Sequence, residues 1–177
     1  MLRNKRLLGQ LKRGDSDALR QIYMEYKDNL LTIAVSLLHD SDAAEDVLHD
    51  VFVSFAGVVS SLRLRGTLRN YLAASVVNRA RDMYRRGKHH LVSLDEAGQV
   101  PAGSNAPEQS AASNEQAEHL TGALSQLPPD QRETIVLHLN AGMKFKEIAE
   151  MQGIPISTVQ GRYRYGLDKL RTILRER

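Results

Sequence analysis

The stretch Phe145-Lys-Glu-Ile-Ala-Glu-Met-Gln-Gly-Ile-Pro-Ile-Ser-Thr-Val159 decides how the chain folds. Its spacing reads as two short helices crossing steeply at a turn. Such a crossing needs a small residue at closest approach, and Ala149 supplies one. The turn needs a positive φ, which Gly153 adopts at low cost. Ile148, Ile154 and Val159 then close a small core between the two helices. The pattern is that of a helix-turn-helix, whose second helix can lie in a DNA major groove with its N-terminal residues toward base edges. The alternative is a plain helical hairpin with a glycine turn. The outward positions of the second helix are Ser157, Thr158, Gln160, Gly161, Arg162, Arg164, Tyr165 and Lys169. Gln and Arg can read base edges bidentately, while Ser, Thr and Lys mostly anchor to phosphate.

Working outward, that helix extends to about Leu174, with Ile156, Val159, Tyr163, Leu167, Leu170 and Leu174 as its expected buried stripe. Upstream, a helix runs from about Asn114 to Leu127, where Pro128-Pro129 stops it. Asp130 can cap the next, which runs to about Asn140, with Gly142 ending it. From Val92 to about Ala117 the composition shifts to Pro, Gly, Ser, Asn, Gln and Ala. Such a stretch buries too little to offset its ordering entropy and reads as a flexible linker. About 26 residues of it give an r.m.s. reach of roughly 25–30 Å, enough for the flanking modules to dock separately.

The N-terminal module is also helical. Leu19, Ile22, Tyr23, Tyr26, Leu30, Ile33, Ala34 and Leu37 form one stripe on a helix starting near Asp15–Asp17. Asp42-Ala-Ala-Glu45 resembles a capping box that opens a helix lined by Ala44, Val47, Leu48, Val51, Phe52 and Phe55. Asp40 can also serve as a helix cap, with His39 closing the helix before it. A third helix runs from about Leu68 to Arg86, with Leu68, Tyr71, Leu72, Val76 and Met83 expected inward. Two-residue alternation is nearly absent, so the fold class is all-α: two small helical bundles joined by a flexible linker. The expected divisions are residues 1–90, a linker over 91–114, and 115–177.

The 177 residues carry a formal charge of only +3. By block, residues 40–50 are −5, residues 62–90 are +7, residues 91–119 are −5 and residues 144–177 are +4. Two basic stretches separated by an acidic one suggest two polyanion-facing surfaces. The +7 helix mixes Tyr71, Asn78, Arg79, Asp82, Tyr84, Arg85 and Arg86. Aromatics beside a cationic track suit single-stranded nucleic acid; the bland alternative makes Tyr71 a core residue and the arginines solvated. Cysteine is absent, which excludes disulfides, thiolate metal sites and cysteine nucleophiles. No apolar run approaches the roughly 18–20 residues of a membrane span, so no membrane insertion is expected. The basic N-terminus lacks the apolar segment of a secretory signal, which makes the cytoplasm the default location.

Taken together, these stretches resemble an extracytoplasmic-function (ECF) sigma factor of bacterial RNA polymerase. The resemblance rests on Asp42–Phe52, Leu68–Arg86, Leu127–Glu133, Glu147–Ala149, Gly153–Pro155 and Thr158–Val159, in that order. It implies sigma region 2 over about residues 10–90 and region 4 over about 115–175. By resemblance, the helix opening at Asp42 docks on the β′ clamp of core RNA polymerase through Asp46, His49, Asp50 and Phe52, and region 4 meets the β flap. The Leu68–Arg86 helix melts and captures the −10 element of promoter DNA through Tyr71, Asn78, Arg79, Asp82, Arg85 and Arg86. The last helix reads the −35 element through Gln160, Gly161, Arg162, Arg164 and Tyr165, among the outward positions named above. A helical anti-sigma factor wedged between the modules is the expected regulator, and no cofactor, metal or catalytic residue is expected.

The sequence departs from the family pattern at several points. Tyr71 stands where the family usually has Trp, and His49 where it often has Gln. Gly161 and Gly166 interrupt the recognition helix, each costing on the order of 1 kcal/mol of helix propensity. Tyr163 and Tyr165 are unusual there too. Two other readings compete. One is a free-standing helix-turn-helix regulator whose N-terminal module dimerises or senses. The other is an HD-type metal hydrolase built on His39-Asp40 and His49-Asp50. The latter needs further ligands, and His89, His90, His119 and His138 have no fitting spacing, so surface histidines are the simpler expectation.

Overall fold

The computed structural model describes residues 2–64, 66–91 and 111–175. Among them are eight helices and no strand: α1 (Leu2–Lys12), α2 (Ser16–Leu38), α3 (Ser41–Val58), α4 (Leu68–Leu91), α5 (Ala111–Ser125), α6 (Pro129–Leu139), α7 (Phe145–Gln152) and α8 (Ile156–Arg175). Most of the expected linker, residues 92–110, lies outside the described residues. Helix α1 had no counterpart in the sequence reading. It contributes Leu7 and Leu11 to the core.

Helix α2 is the axis of the first module. Asp15 caps it, its Oδ1 accepting from the Asp17 amide at 3.0 Å and the Ala18 amide at 3.4 Å. It ends at His39 in the left-handed conformation, φ 58°. Ile22, Leu30, Ile33 and Ala34 are fully buried against Val47 and Phe55 of α3 and Leu72, Val76 and Val77 of α4. Fully burying each of the larger aliphatic side chains contributes roughly 1.5–3 kcal/mol. The cap of α3 is Asp40, which accepts from the Ala43 amide at 3.0 Å. The capping box expected at Asp42–Glu45 is not formed, because the helix starts two residues earlier, with Asp40 as its cap, and Asp42 sits in its first turn. On α4 the expected inward Met83 is exposed; Ala73, Val77 and Ala80 take the buried positions instead.

In the second module Pro128 precedes α6 with Pro129 at its first position, and Asp130 lies one residue inside the helix rather than capping it. The α7–Gly153–α8 turn forms as read, with Gly153 at φ +67° and Ile148, Ala149 and Val159 buried. Of the stripe expected on α8, Val159 and Leu170 are buried and Tyr163 and Leu167 partly so, but Ile156 and Leu174 are exposed. Gly166 is buried in their place, and its reason is packing. A Cβ at Gly166 would come within 2.8 Å of Ile135 Cδ1 and 3.1 Å of Gln131 Cβ, so the glycine permits the close approach of α8 to α6.

The modules do not stand apart. Val136, Leu137, Ala141, Met143, Ile148, Ala149 and Val159 join the same buried cluster as the α2–α3–α4 core. A smaller cluster of Ala123, Leu124, Leu127, Ile135 and Leu170 belongs to the second module alone. The two bundles are thus packed together in a closed arrangement, in which α5 and α6 pack on α2.

Candidate functional site

Three surfaces carry the candidate residues. The first is an open groove of about 940 Å³ between α2 and α3. Its walls include Arg20, Tyr23 and Lys27 from α2 and Glu45, Asp46, His49, Phe52 and Val53 from α3. Phe52 is buried at its floor, edge-on to Tyr23 with ring centroids 4.9 Å apart. Val53 is 58% exposed. Of the four expected contacts, Asp46, His49 and Phe52 share this groove; Asp50 does not line it. Its carboxylate is taken by Arg79 of α4, whose Nε donates to Oδ2 at 2.9 Å. A groove with an apolar floor and mixed charges on its rim suits a protein helix better than a nucleic acid. Tyr23 and Val53 are additions that the helical stripe alone did not mark for this role.

The second surface is α4. Asn78, Arg85 and Arg86 are exposed. Asp82 accepts from Arg85 Nη2 at 3.0 Å. Tyr71 is partly buried, tilted against Phe55 with centroids 6.0 Å apart, and packs on the core. Arg79 is held by Asp50 as above. Thus two of the six expected residues, Tyr71 and Arg79, are engaged inside the module.

The third surface is the outer face of α8. Ser157, Thr158, Gln160, Arg164, Tyr165 and Lys169 are exposed. Arg164 lies over the Tyr165 ring, with Cζ 4.9 Å from its centroid. Arg162 is turned inward. Its Nε lies 3.0 Å from Asp130 Oδ2 and its Nη1 donates to Gln152 Oε1 at 3.2 Å. Rings fix the pose of this helix: His138 stacks on Phe145 at 4.4 Å, and Tyr163 meets His138 at 4.9 Å and Phe145 at 5.1 Å. His138 Nδ1 donates to the Met143 carbonyl at 2.8 Å. His138 is therefore a packed residue, not the surface histidine expected.

Between the surfaces runs a set of polar contacts that sequence reasoning missed. Arg81 of α4 donates through Nε to Glu133 Oε2 at 2.6 Å and through Nη2 to Oε1. Glu133, on α6, is only 6% exposed and also accepts from Gln152 Nε2. Arg81, Glu133, Gln152, Arg162 and Asp130 thus form one chain of contacts from α4 to α8. Asn70 Nδ2 donates to Glu147 Oε1 at 2.7 Å, and Asn29 Nδ2 to the Asn140 carbonyl at 2.8 Å. Arg132 donates to the Leu37 carbonyl at 3.0 Å, to the Leu127 carbonyl at 3.2 Å and to His39 Nε2 at 2.6 Å. Arg has no acceptor, so His39 Nε2 must accept and the ring is neutral. Burial, then the Arg132 charge, lowers the His39 pKa to about 4. Burial also lowers that of Arg132. His39, expected on the surface, is a cross-module residue instead. The one signal for these contacts in the sequence is that Glu133 falls on the same buried face of α6 as Val136 and Leu137.

Comparison with known proteins matches residues 22–90 to Sigma-70 region 2 and residues 118–170 to Sigma-70, region 4. Together these span 122 of the 177 residues. The chain is an ECF sigma factor. The sigma factor is 27% identical to the ECF RNA polymerase sigma factor SigW of Bacillus subtilis (strain 168), over 97% of each chain. It is 29% identical to the RNA polymerase sigma factor CarQ of Myxococcus xanthus, over 92% of each. Its fold matches the solved structure of CnrH in complex with the cytosolic domain of CnrY at a TM-score of 0.74, with 22% identity and 98% of each chain covered. It is a non-enzymatic transcription initiation factor that directs RNA polymerase. Among the described residues no group of three or more His, Asp or Glu could hold a metal, and no helix is long and apolar enough to cross a membrane.

Proposed function

We propose that the sigma factor divides its labour by residue as follows. The α2–α3 groove, with Asp46, His49 and Phe52 joined by Tyr23 and Val53, receives the β′ clamp of core polymerase. Helix α4 offers Asn78, Asp82, Arg85 and Arg86 to the unpaired −10 strand, with Tyr71 and Arg79 supporting the helix. The α8 face formed by Ser157, Thr158, Gln160, Gly161, Arg164, Tyr165 and Lys169 reads the −35 duplex. Arg162 joins that face only on leaving Asp130 and Gln152. Residues 1–90 and 115–177 act as the two working modules and 91–114 as their tether. The β flap is the expected contact of region 4. An anti-sigma factor is the regulator, a reading supported by the solved complex of the sigma factor RpoE with the anti-sigma factor NepR from Bartonella quintana, whose fold is similar, and the factor works in the cytoplasm.

The observation that carries this division is chemical. One face of the first module is an apolar-floored groove with a mixed rim, while α4 and α8 present Arg, Gln and hydroxyl groups suited to phosphates and base edges. Run-off transcription with core polymerase, with and without the protein, across a genomic fragment library tests it. Promoter-specific transcripts are expected only with the factor. Changing Arg85 and Arg86 together to Ala should reduce open-complex formation at least ten-fold while leaving core binding within about two-fold. An equal fall in core binding would show that the surfaces are wrongly divided.

A further inference from the structure

Gly161 has no internal explanation in this fold. It is the sixth residue of the 20-residue helix α8, deep in its interior, where glycine weakens the helix about five-fold against alanine. Packing accounts for Gly166 but not for Gly161, where an added Cβ would meet nothing within 4 Å. Three other helical glycines are similarly uncrowded, Gly9, Gly57 and Gly122, but each lies in the last four residues of its helix, where a weak helix former costs little.

Its position gives it a use. Residues 157, 160, 161, 164 and 165 recur at intervals of three and four, so they share one face. Gly161 lies at the centre of that face, flanked by exposed Gln160 and Arg164. Arg164 Nη2 donates to the Tyr165 hydroxyl at 3.2 Å, which holds that pair to one side. A bare segment of helix backbone is left between polar arms. Its own N–H is committed inside the helix, so the notch offers no donor to a phosphate or to a polar base edge. The one base-edge group in the major groove that needs no hydrogen bond is the C5 methyl of thymine.

We propose that Gly161 forms a notch in α8 that receives the methyl group of one thymine in the duplex element this helix reads. This rests on α8 being the duplex-reading helix. A Cβ at residue 161 would fill the notch, and the factor would lose its preference for thymine at that step.

The test uses holoenzyme assembled from core polymerase and the full-length chain. Its upstream element is first defined by selection from duplexes randomised there. Each thymine of the selected element is then replaced in turn by deoxyuridine, which lacks only the methyl. Replacement at one position should weaken wild-type binding several-fold. Gly161→Ala should bind the thymine duplex about ten-fold more weakly and be indifferent to that replacement. The same variant should melt about 2–4 °C higher, which separates a lost contact from a damaged fold. Unchanged affinity of Gly161→Ala, an equal loss on thymine and deoxyuridine duplexes at every position, or a selected element without thymine would overturn the proposal. If Gln160→Ala and Arg164→Ala both leave affinity unchanged, the assignment of α8 itself fails, a different result from failure of the notch.

Discussion

Removing Arg81 should loosen the two modules. The Glu133 carboxylate is buried, its side chain only 8% exposed, and its cationic partner comes from α4 in the other module. Breaking a fully buried pair costs about 3–5 kcal/mol, because a desolvated charge is left behind. An exposed pair is worth about 0–1 kcal/mol. Here the Arg81 side chain is 47% exposed, and Gln152 remains as a second partner for Glu133. An intermediate cost of about 1–2 kcal/mol follows, which shifts a closed–open equilibrium by roughly 5–30-fold. The chain has no cysteine, so Ser54→Cys on α3 and Arg171→Cys on α8, both at exposed positions, can be labelled without background. Single-molecule energy transfer between these dyes then reports the separation of the modules. Arg81→Ala should enlarge the low-transfer population. Glu133→Gln should do so less, because an amide still accepts from Arg81. The double variant should be no worse than Arg81→Ala alone, so the coupling in a mutant cycle should equal the whole of the smaller Glu133→Gln effect. Unchanged distributions, or strictly additive effects, would show that this contact does not hold the modules together.

Other expectations follow from the same geometry. Gly166→Ala should lower the melting temperature despite the better helix former, because overpacking against Ile135 and Gln131 costs about 1–3 kcal/mol and the propensity gain is about 1 kcal/mol. The folded pKa of His39 is about 4 and its ordinary value 6.5, so the unfolded chain binds the proton first as pH falls. Its contribution is therefore complete above pH 6.5 and lost progressively toward pH 4, amounting to roughly 1–3 kcal/mol after allowance for partial exposure. His39→Asn keeps a residue tolerant of the left-handed conformation and should flatten the fall in melting temperature between pH 7 and pH 5. Val53→Asp, at an exposed position on the rim of the groove, should weaken core-polymerase binding about ten-fold or more in a direct binding assay, with a melting temperature unchanged within 2 °C.

Much of the fold was legible because its signals are local. The stripes on α2 and α3, the cap at Asp15 and the left-handed Gly153 each depend on residues within a turn or two of one another. The errors were of a different kind. Met83 looked inward because apolar residues usually are, yet α4 turns Ala73, Val77 and Ala80 to the core and leaves Met83 outside. Asp42 fitted a capping box, but Asp40 two residues earlier had the better geometry. Arg162 has the chemistry of a base reader and points outward on a bare helical wheel, but Asp130 and Gln152 pull it in. Nothing in the local pattern distinguishes an arginine for DNA from one for a neighbouring helix.

Seven of the eight described helices, the helix-turn-helix, the separation of charge into opposed blocks and the family can all be read along the chain alone. Periodicity, caps and turn residues act over a few positions, and the motif order is written along the chain. The tertiary structure decided which charges meet. The pairing of Arg81 with Glu133, of Arg132 with His39 and of Arg79 with Asp50 joins residues 52, 93 and 29 positions apart. Desolvation and partner geometry set the character of such groups, and both exist only once the helices are packed. The same holds for the glycines: Gly161 and Gly166 are equivalent as letters in a helix, and only the proximity of Ile135 to one of them gives the two different reasons to be glycine.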